Sequence, residues 1–262
     1  MRAAPRRHLG RFHSIDSPVK TRFPTNEITI RPMVLGLDKD APGLRRPVEF
    51  VQEYLKGKTV WSDWVEKSDG WPIGVETITA ATLAQVNPPH PAILPAWENR
   101  VDIAGRCFPE RAYDASAKLK AHKDPCSISI RYLGSRYVLT LLSARSALLP
   151  AALDRRLGDF PLHNPAGIDP LGADLQHPQL FHIFNWLESL EILLCFQCWR
   201  EVAAGALKWL WDQRNTDGLW DFGMKVSKSS HFPLSDDWKK PGNRSLDHST
   251  QVLALTKQFP GN

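Results

Sequence analysis

Two adjacent carboxylic acids, Asp236 and Asp237 in PLSDDW, are the residues of this chain best suited to deliver a proton. Like charges side by side oppose the ionisation of both, so one of the pair is held protonated. Trp238 follows directly and offers a π face to any positive charge that protonation of an apolar substrate creates. The plainer role for Ser235 to Asp237 is a loop and helix cap. Asp247 and His248 form a second pair, read most simply as the N-cap of a last helix and a histidine in its first turn. A third set lies in HPQLFHIFNWLESLEILL, which carries His177, His182, Asn185 and Glu188. The last three are three residues apart, so one polar stripe crosses an otherwise apolar helix. That stripe is either a hydrogen-bonded buried one without chemistry or a surface that orients a substrate, with Trp186 beside it.

The elements that must position these residues come from a chain of 262 residues, 42% hydrophobic, long enough to bury a real core. No run of about 18 apolar residues occurs, which excludes a spanning helix and leaves only peripheral membrane contact. A net charge of +5 arises from 33 basic and 28 acidic residues spread along the chain. Without a Lys/Arg stripe interleaved with aromatics, nucleic acid is not the expected partner. Arg2, Arg6, Arg7 and Arg11 make the N-terminus basic, and Pro5 interrupts the amphipathic helix of a transit peptide, so the segment reads as a disordered tail. Four cysteines are too few for a disulfide framework, and Cys195 and Cys198 sit inside LEILLCFQCW. They read as buried structural thiols in a reducing, cytoplasmic compartment, with no metal and no cofactor.

Residues 1–44 are rich in Pro, Arg and Thr and read as an extended arm; residues 45–262 read as one helical domain. Apolar periodicity predicts helices over 48–55, with Gly57 beyond the C-cap, and around Ile78, Ala81 and Leu83. Further helices are expected over 92–108, 129–143, 148–157, 180–194, 199–212 and 247–258, with a loop over 160–178. No strand alternation stands out. Shifting the chain by 159 positions lays Val48, Phe50, Val51, Glu53 and Trp61 on Leu207, Trp209, Leu210, Asp212 and Trp220, the pattern of a degenerate internal repeat.

The second copy of that pattern surrounds the polar hinge QRNTDG with Trp209 and Trp211 before it and Trp220 and Phe222 after it. Asp217-Gly218 supplies a turn, because glycine takes positive φ freely. A ring that folds back from beyond the turn then pins the helix end, and the Gln213 amide is placed to bond that end while stacking on Trp220. Gln213-Arg-Asn-Thr-Asp217-Gly218-Leu-Trp220 resembles the glutamine-tryptophan repeat of the squalene-hopene and oxidosqualene cyclase and protein prenyltransferase superfamily. DDWKKPGNRSLDHSTQVLALTKQF resembles the end of a prenyltransferase β-subunit unit, and the likeness spans Gly205 to Phe259. It departs from the family in an extra residue between Gln213 and Asp217, in Arg214 at the usual glutamine place, and in Leu234 at the first position of the Asp-x-Asp-Asp acid motif.

The resemblance implies an all-α fold, an α/α-toroid-like array of antiparallel helix pairs around an aromatic-lined cavity. With fewer helices than a full ring, the array is incomplete, and a second copy forming a homodimer is one way to close it. It implies a terpenoid cyclase-like isomerase or lyase that protonates an apolar polyene or prenylated substrate. Asp236 or Asp237 is the donor, His248 beside Asp247 its partner, and Trp238, Trp220, Trp186, His182, Asn185 and Glu188 contact the substrate. In the zinc-dependent branch a histidine at the place of His248 binds metal together with Asp and Cys, for which Asp124-Pro-Cys126 is the nearest element; no metal is expected here. The alternative is a non-catalytic toroid that holds a hydrophobic ligand or a protein segment.

Overall fold

The computed structural model describes residues 41–59, 71–108, 133–163, 167–169, 171–226, 233–234 and 237–259. Among them are eight α-helices: α1 (Pro42–Leu55), α2 (Trp71–Val86), α3 (Leu94–Cys107), α4 (Arg136–Ser143), α5 (Ala151–Leu162), α6 (Ile183–Leu193), α7 (Gln197–Asp212) and α8 (Pro241–Thr256). Short 3-10 turns at Pro91–Ile93, Ser146–Leu148 and Leu180–His182 precede α3, α5 and α6. No strand occurs among the described residues, only isolated bridges between Ser135 and Asp169 and between Arg214 and Trp220. The fold is therefore all-α, as expected. The expected arm (apart from its last residues), the Asp124 and Cys126 element, Trp61 of the repeat and Asp236 lie outside the described residues.

Alternate helices touch in succession, α2 on α4, α4 on α6 and α6 on α8. Of the odd-numbered helices, α1 packs on α2 and α3 on both α2 and α4, while α5 and α7 pack on each other. Burial follows this order. In α2 the residues Val75, Ile78, Ala80, Ala81, Leu83 and Ala84 are buried together with Thr77, Thr79 and Thr82. A helix buried on every side needs its hydroxyls satisfied internally. Thr79 and Thr82 donate to the Val75 and Ile78 carbonyls at 2.5 and 2.9 Å, and Thr77 accepts from Arg100 of α3 at 2.6 Å.

Buried indoles tie helices to neighbouring segments. Trp97 of α3 donates to the Leu142 carbonyl at the end of α4 (3.3 Å), Trp199 of α7 to Gly158 of α5 (2.9 Å), and Trp186 of α6 to Leu175 (3.3 Å). Each ring buries a large apolar area while its one polar atom finds an acceptor. A second long-range device caps α7. Its own N-cap residue, Phe196, has no side-chain acceptor, and the Gln197 amide donates instead to the Asp154 carboxylate of α5 at 2.9 Å. The negative charge there meets the positive end of the helix dipole.

Several boundaries differ from the sequence reading. The last helix begins at Pro241, six residues before Asp247, with Lys240 at its N-cap. Proline at N1 lacks only an amide hydrogen that would be unpaired anyway and has its φ already set, so Lys-Pro-Gly starts the helix instead of preceding it. Asp247 is consequently mid-helix and not a cap. Helix α5 starts at Ala151, after extended Leu149 and Pro150, and runs through Pro161 to Leu162, into the expected loop. The loop's remainder contains Gly167 at φ +60°, where a Cβ would overlap the Ala173 carbonyl oxygen. Only glycine fits that turn, which sets Asp169 to exchange backbone hydrogen bonds with Gly134 and Arg136 at 2.9 and 2.8 Å.

Candidate functional site

The hinge after α7 folds back as its sequence suggests. Gly218 takes φ +76°, and the Asn215 side chain accepts from the Asp217 and Leu219 amides at 3.0 and 2.9 Å. Trp220 then lies against Trp211 with ring centroids 4.9 Å apart, and its indole donates to the Leu210 carbonyl at 2.7 Å. The guanidinium of Arg214 covers the Trp211 ring at 4.6 Å. The same cation lies 6.0 Å from the Trp220 ring, on which the Gln213 amide was expected to stack. Gln213 instead donates to the Trp209 carbonyl at 3.4 Å, bonding the helix end as anticipated.

Beyond the turn the chain runs extended across α8, and polar side chains of that helix accept its backbone amides. Trp220 donates to the Ser249 hydroxyl at 2.9 Å and Phe222 to Nδ1 of His248 at 3.1 Å. The Leu234 amide donates to Asp247 Oδ2 at 2.5 Å, and the Gln251 side chain donates to Oδ1 at 2.6 Å. Asp221 is gripped by Arg244 through two bonds of 2.6 and 2.8 Å. Those bonds, chiefly, hold the Asp221 carboxyl below the usual aspartate range. Accepting a backbone hydrogen at Nδ1 requires a lone pair there, so His248 carries its proton on Nε2 in the neutral form. The imidazole is enclosed by Phe184 at 5.0 Å and Phe222 at 5.4 Å, with Trp238 at 6.4 Å.

Of the two expected acids, Asp237 is not part of this cluster, and Asp236 lies outside the described residues. Asp237 stands on the surface, its side chain 64% exposed and bridged to Lys240 at 2.7 Å. Trp186 and Trp220, expected against substrate, are 1% and 2% exposed and bonded to backbone, which leaves no surface for a ligand. Asn185 is likewise buried, donating to the Leu171 carbonyl. His177 is exposed beside Asp174, and Cys195 is half-buried, not fully enclosed.

The third stripe leads elsewhere. Glu188 forms an ion pair of 2.5 Å with Arg136, the first residue of α4, both side chains largely buried at 12% and 8% exposure. One turn further along the same face of α6 is Glu191, to whose Oε1 the Gln258 amide donates at 3.4 Å. Glu191 is an exposed residue; desolvation by the protein packed around it, with the Glu188 charge, pushes its carboxyl above the usual glutamate range, against the Gln258 hydrogen bond and the Arg136 charge. Tyr137, beside Arg136, has its phenol pushed up chiefly by burial, and the Arg136 guanidinium lies 5.5 Å from its ring centroid. At the N-terminal end of the stripe, His182 has a buried Nδ1 without a hydrogen-bond partner, its ring edge-on to exposed Phe181.

Arg136, Tyr137, Glu191 and Gln258 were not singled out in the sequence. One signal for Glu191 was present: the three-residue spacing of His182, Asn185 and Glu188 continues to position 191. Among the described residues no three His, Cys, Asp or Glu side chains are grouped to hold a metal ion, and no helix is long and apolar enough to cross a membrane. No family model matches the chain, and neither a curated protein nor a solved structure matches it.

Proposed function

We propose that this chain is a terpenoid cyclase-like isomerase or lyase that protonates an apolar polyene or prenylated substrate, with Glu191 as the donor in place of Asp236 and Asp237. The observation that carries this reading is the Glu191 carboxyl, exposed one turn along α6 from the buried Arg136–Glu188 pair and pushed above its usual range. A carboxyl pushed above its usual range keeps its proton closer to neutral pH, as a general acid must. Its proton would pass to an alkene carbon, whose π electrons form the new C–H bond. The resulting cation faces the carboxylate left behind, and loss of a neighbouring proton to that carboxylate closes an isomerisation. The succession of α2, α4, α6 and α8 supports a toroid-like arc with these helices as its inner wall. Glu188 and Glu191 would then face the interior.

The test is incubation with a panel of prenyl and polyene substrates, with products read by mass spectrometry for wild type, E191Q, D236N and D237N. We expect product from wild type and D237N and its loss by at least tenfold in E191Q. Equal product from E191Q and wild type would remove Glu191 as donor, and loss confined to D236N would return the role to the acid pair. A second reading is favoured by the backbone bonds of Asp247 and His248 and the exposure of Asp237: a toroid-like protein that holds a hydrophobic ligand without turning it over. Substrate bound and recovered unchanged from every variant would establish that reading.

A further inference from the structure

We infer that the segment from Phe222 to Val226 is an acid-released latch, closed on α8 only while His248 is neutral. This device is independent of the Glu191 carboxyl. His248 is fully buried, and its Nδ1 accepts the Phe222 amide at 3.1 Å. An imidazolium carries hydrogen on both ring nitrogens and accepts at neither. A proton on Nδ1 would meet the Phe222 N–H, donor against donor, where burial makes an unmade bond costly. While it holds the segment, His248 therefore cannot take a second proton. It takes one only by letting go.

The anchors before Phe222 do not titrate in the same range. Trp220 is held by the Ser249 hydroxyl at 2.9 Å and by its indole bond to the Leu210 carbonyl at 2.7 Å. Asp221 is held by Arg244, whose bonds keep that carboxyl below the usual aspartate range, so it stays ionised wherever a histidine titrates. Release is therefore local and begins at Phe222. Gly223, at φ +80° with open space around it, lets the backbone turn there. Phe222 stacks on the His248 ring at 5.4 Å and meets Phe184 edge-on at 6.0 Å, so opening bares an aromatic face of α6 and α8. Among the described residues, the charged groups around the ring are Asp221 and Arg244, which neutralise each other, and Asp247, which is engaged by the Leu234 amide and the Gln251 side chain. Phe184 of α6 and Trp238, ahead of α8, turn uncharged rings to it.

The test follows the Phe222 amide of the full chain by hydrogen exchange in NMR spectra from pH 7.5 to pH 5.0, each rate being referred to that of an unfolded amide at the same pH. A released ring titrates in the ordinary histidine range, at about 6.5, so protection of Phe222 should fall by about thirtyfold across that window. The Trp220 amide, held by a hydroxyl, should stay within about twofold. H248N places an amide oxygen where Nδ1 stands and does not titrate. In that variant Phe222 should keep its protection at every pH. If H248N does not fold, 15N spectra of histidine-labelled wild type decide. His248 should pass from the Nε2–H tautomer to the imidazolium with the same midpoint as the loss of Phe222 protection. Protection of Phe222 that is constant down to pH 5.0, that falls equally in H248N, or that survives ionisation of the ring overturns the latch.

Discussion

The polar residues of α8 and the Arg136–Glu188 pair joining α4 to α6 are both largely buried, but they are satisfied in different ways. On α8, His248, Ser249 and Asp247 each accept a backbone amide from a passing segment, so their chemistry is spent on holding the chain. On the α4–α6 wall, Arg136 and Glu188 satisfy each other, and Glu191 is left with one long bond from an amide. A buried group whose partner is backbone is best read as architecture. One whose partners are other ionisable side chains can still change state, and that makes it the better candidate for function.

Substitutions can break or sharpen this contrast. The largest effect is expected for R136M, which leaves Glu188 buried without its cation and should lower unfolding stability by about 3–5 kcal/mol in denaturant titrations. The double variant R136M/E188L should recover most of that loss. H248A removes the acceptor of the Phe222 amide and the ring between Phe184 and Phe222, and should cost about 2–4 kcal/mol. If its stability equals wild type, His248 is not architectural and the contrast fails.

D221N should cost about 1.5–3 kcal/mol near neutral pH by weakening the two bonds from Arg244. The Asp221 carboxyl lies below its unfolded value, so this stability is present above the ordinary aspartate range and is lost as pH falls through the folded value. Acid unfolding of D221N should therefore be shallower than that of wild type. Glu191 has the opposite sign: its folded value is raised, so stability is full below the unfolded value and declines as pH rises through the folded one. E191Q should flatten that decline in stability measured from pH 4 to pH 8. The smallest effect is expected for D237N, within about 0.5 kcal/mol of wild type, because its salt bridge is exposed.

Helical periodicity was legible where apolar residues recur at helical spacing, as along α3, α6 and α7, and the Asp217-Gly218 turn followed from glycine's conformational freedom. Boundaries were less so. Pro241 reads locally as a breaker, and only its place at the first position of α8 turns it into a start signal. The candidate site was half visible: Glu188 stood out on an apolar helix, while Glu191, three residues on, looked like ordinary surface charge. Arg136 was hidden for a different reason. Its partner lies fifty-two positions away in sequence, and no local spacing joins α4 to α6. The reverse error arose with Asp237 and His248, whose residue types suit acid chemistry but whose surroundings, solvent in one case and a backbone amide in the other, come only from tertiary packing.

The cap on α7 has a consequence for how the chain can be divided. Because the first amide of that helix borrows its anion from Asp154, 43 positions earlier, α7 does not own its starting signal. A fragment cut anywhere between α5 and α7 would strand a helix without its opening turn. The C-terminal third of the chain thus draws part of its helix capping from the segment before it.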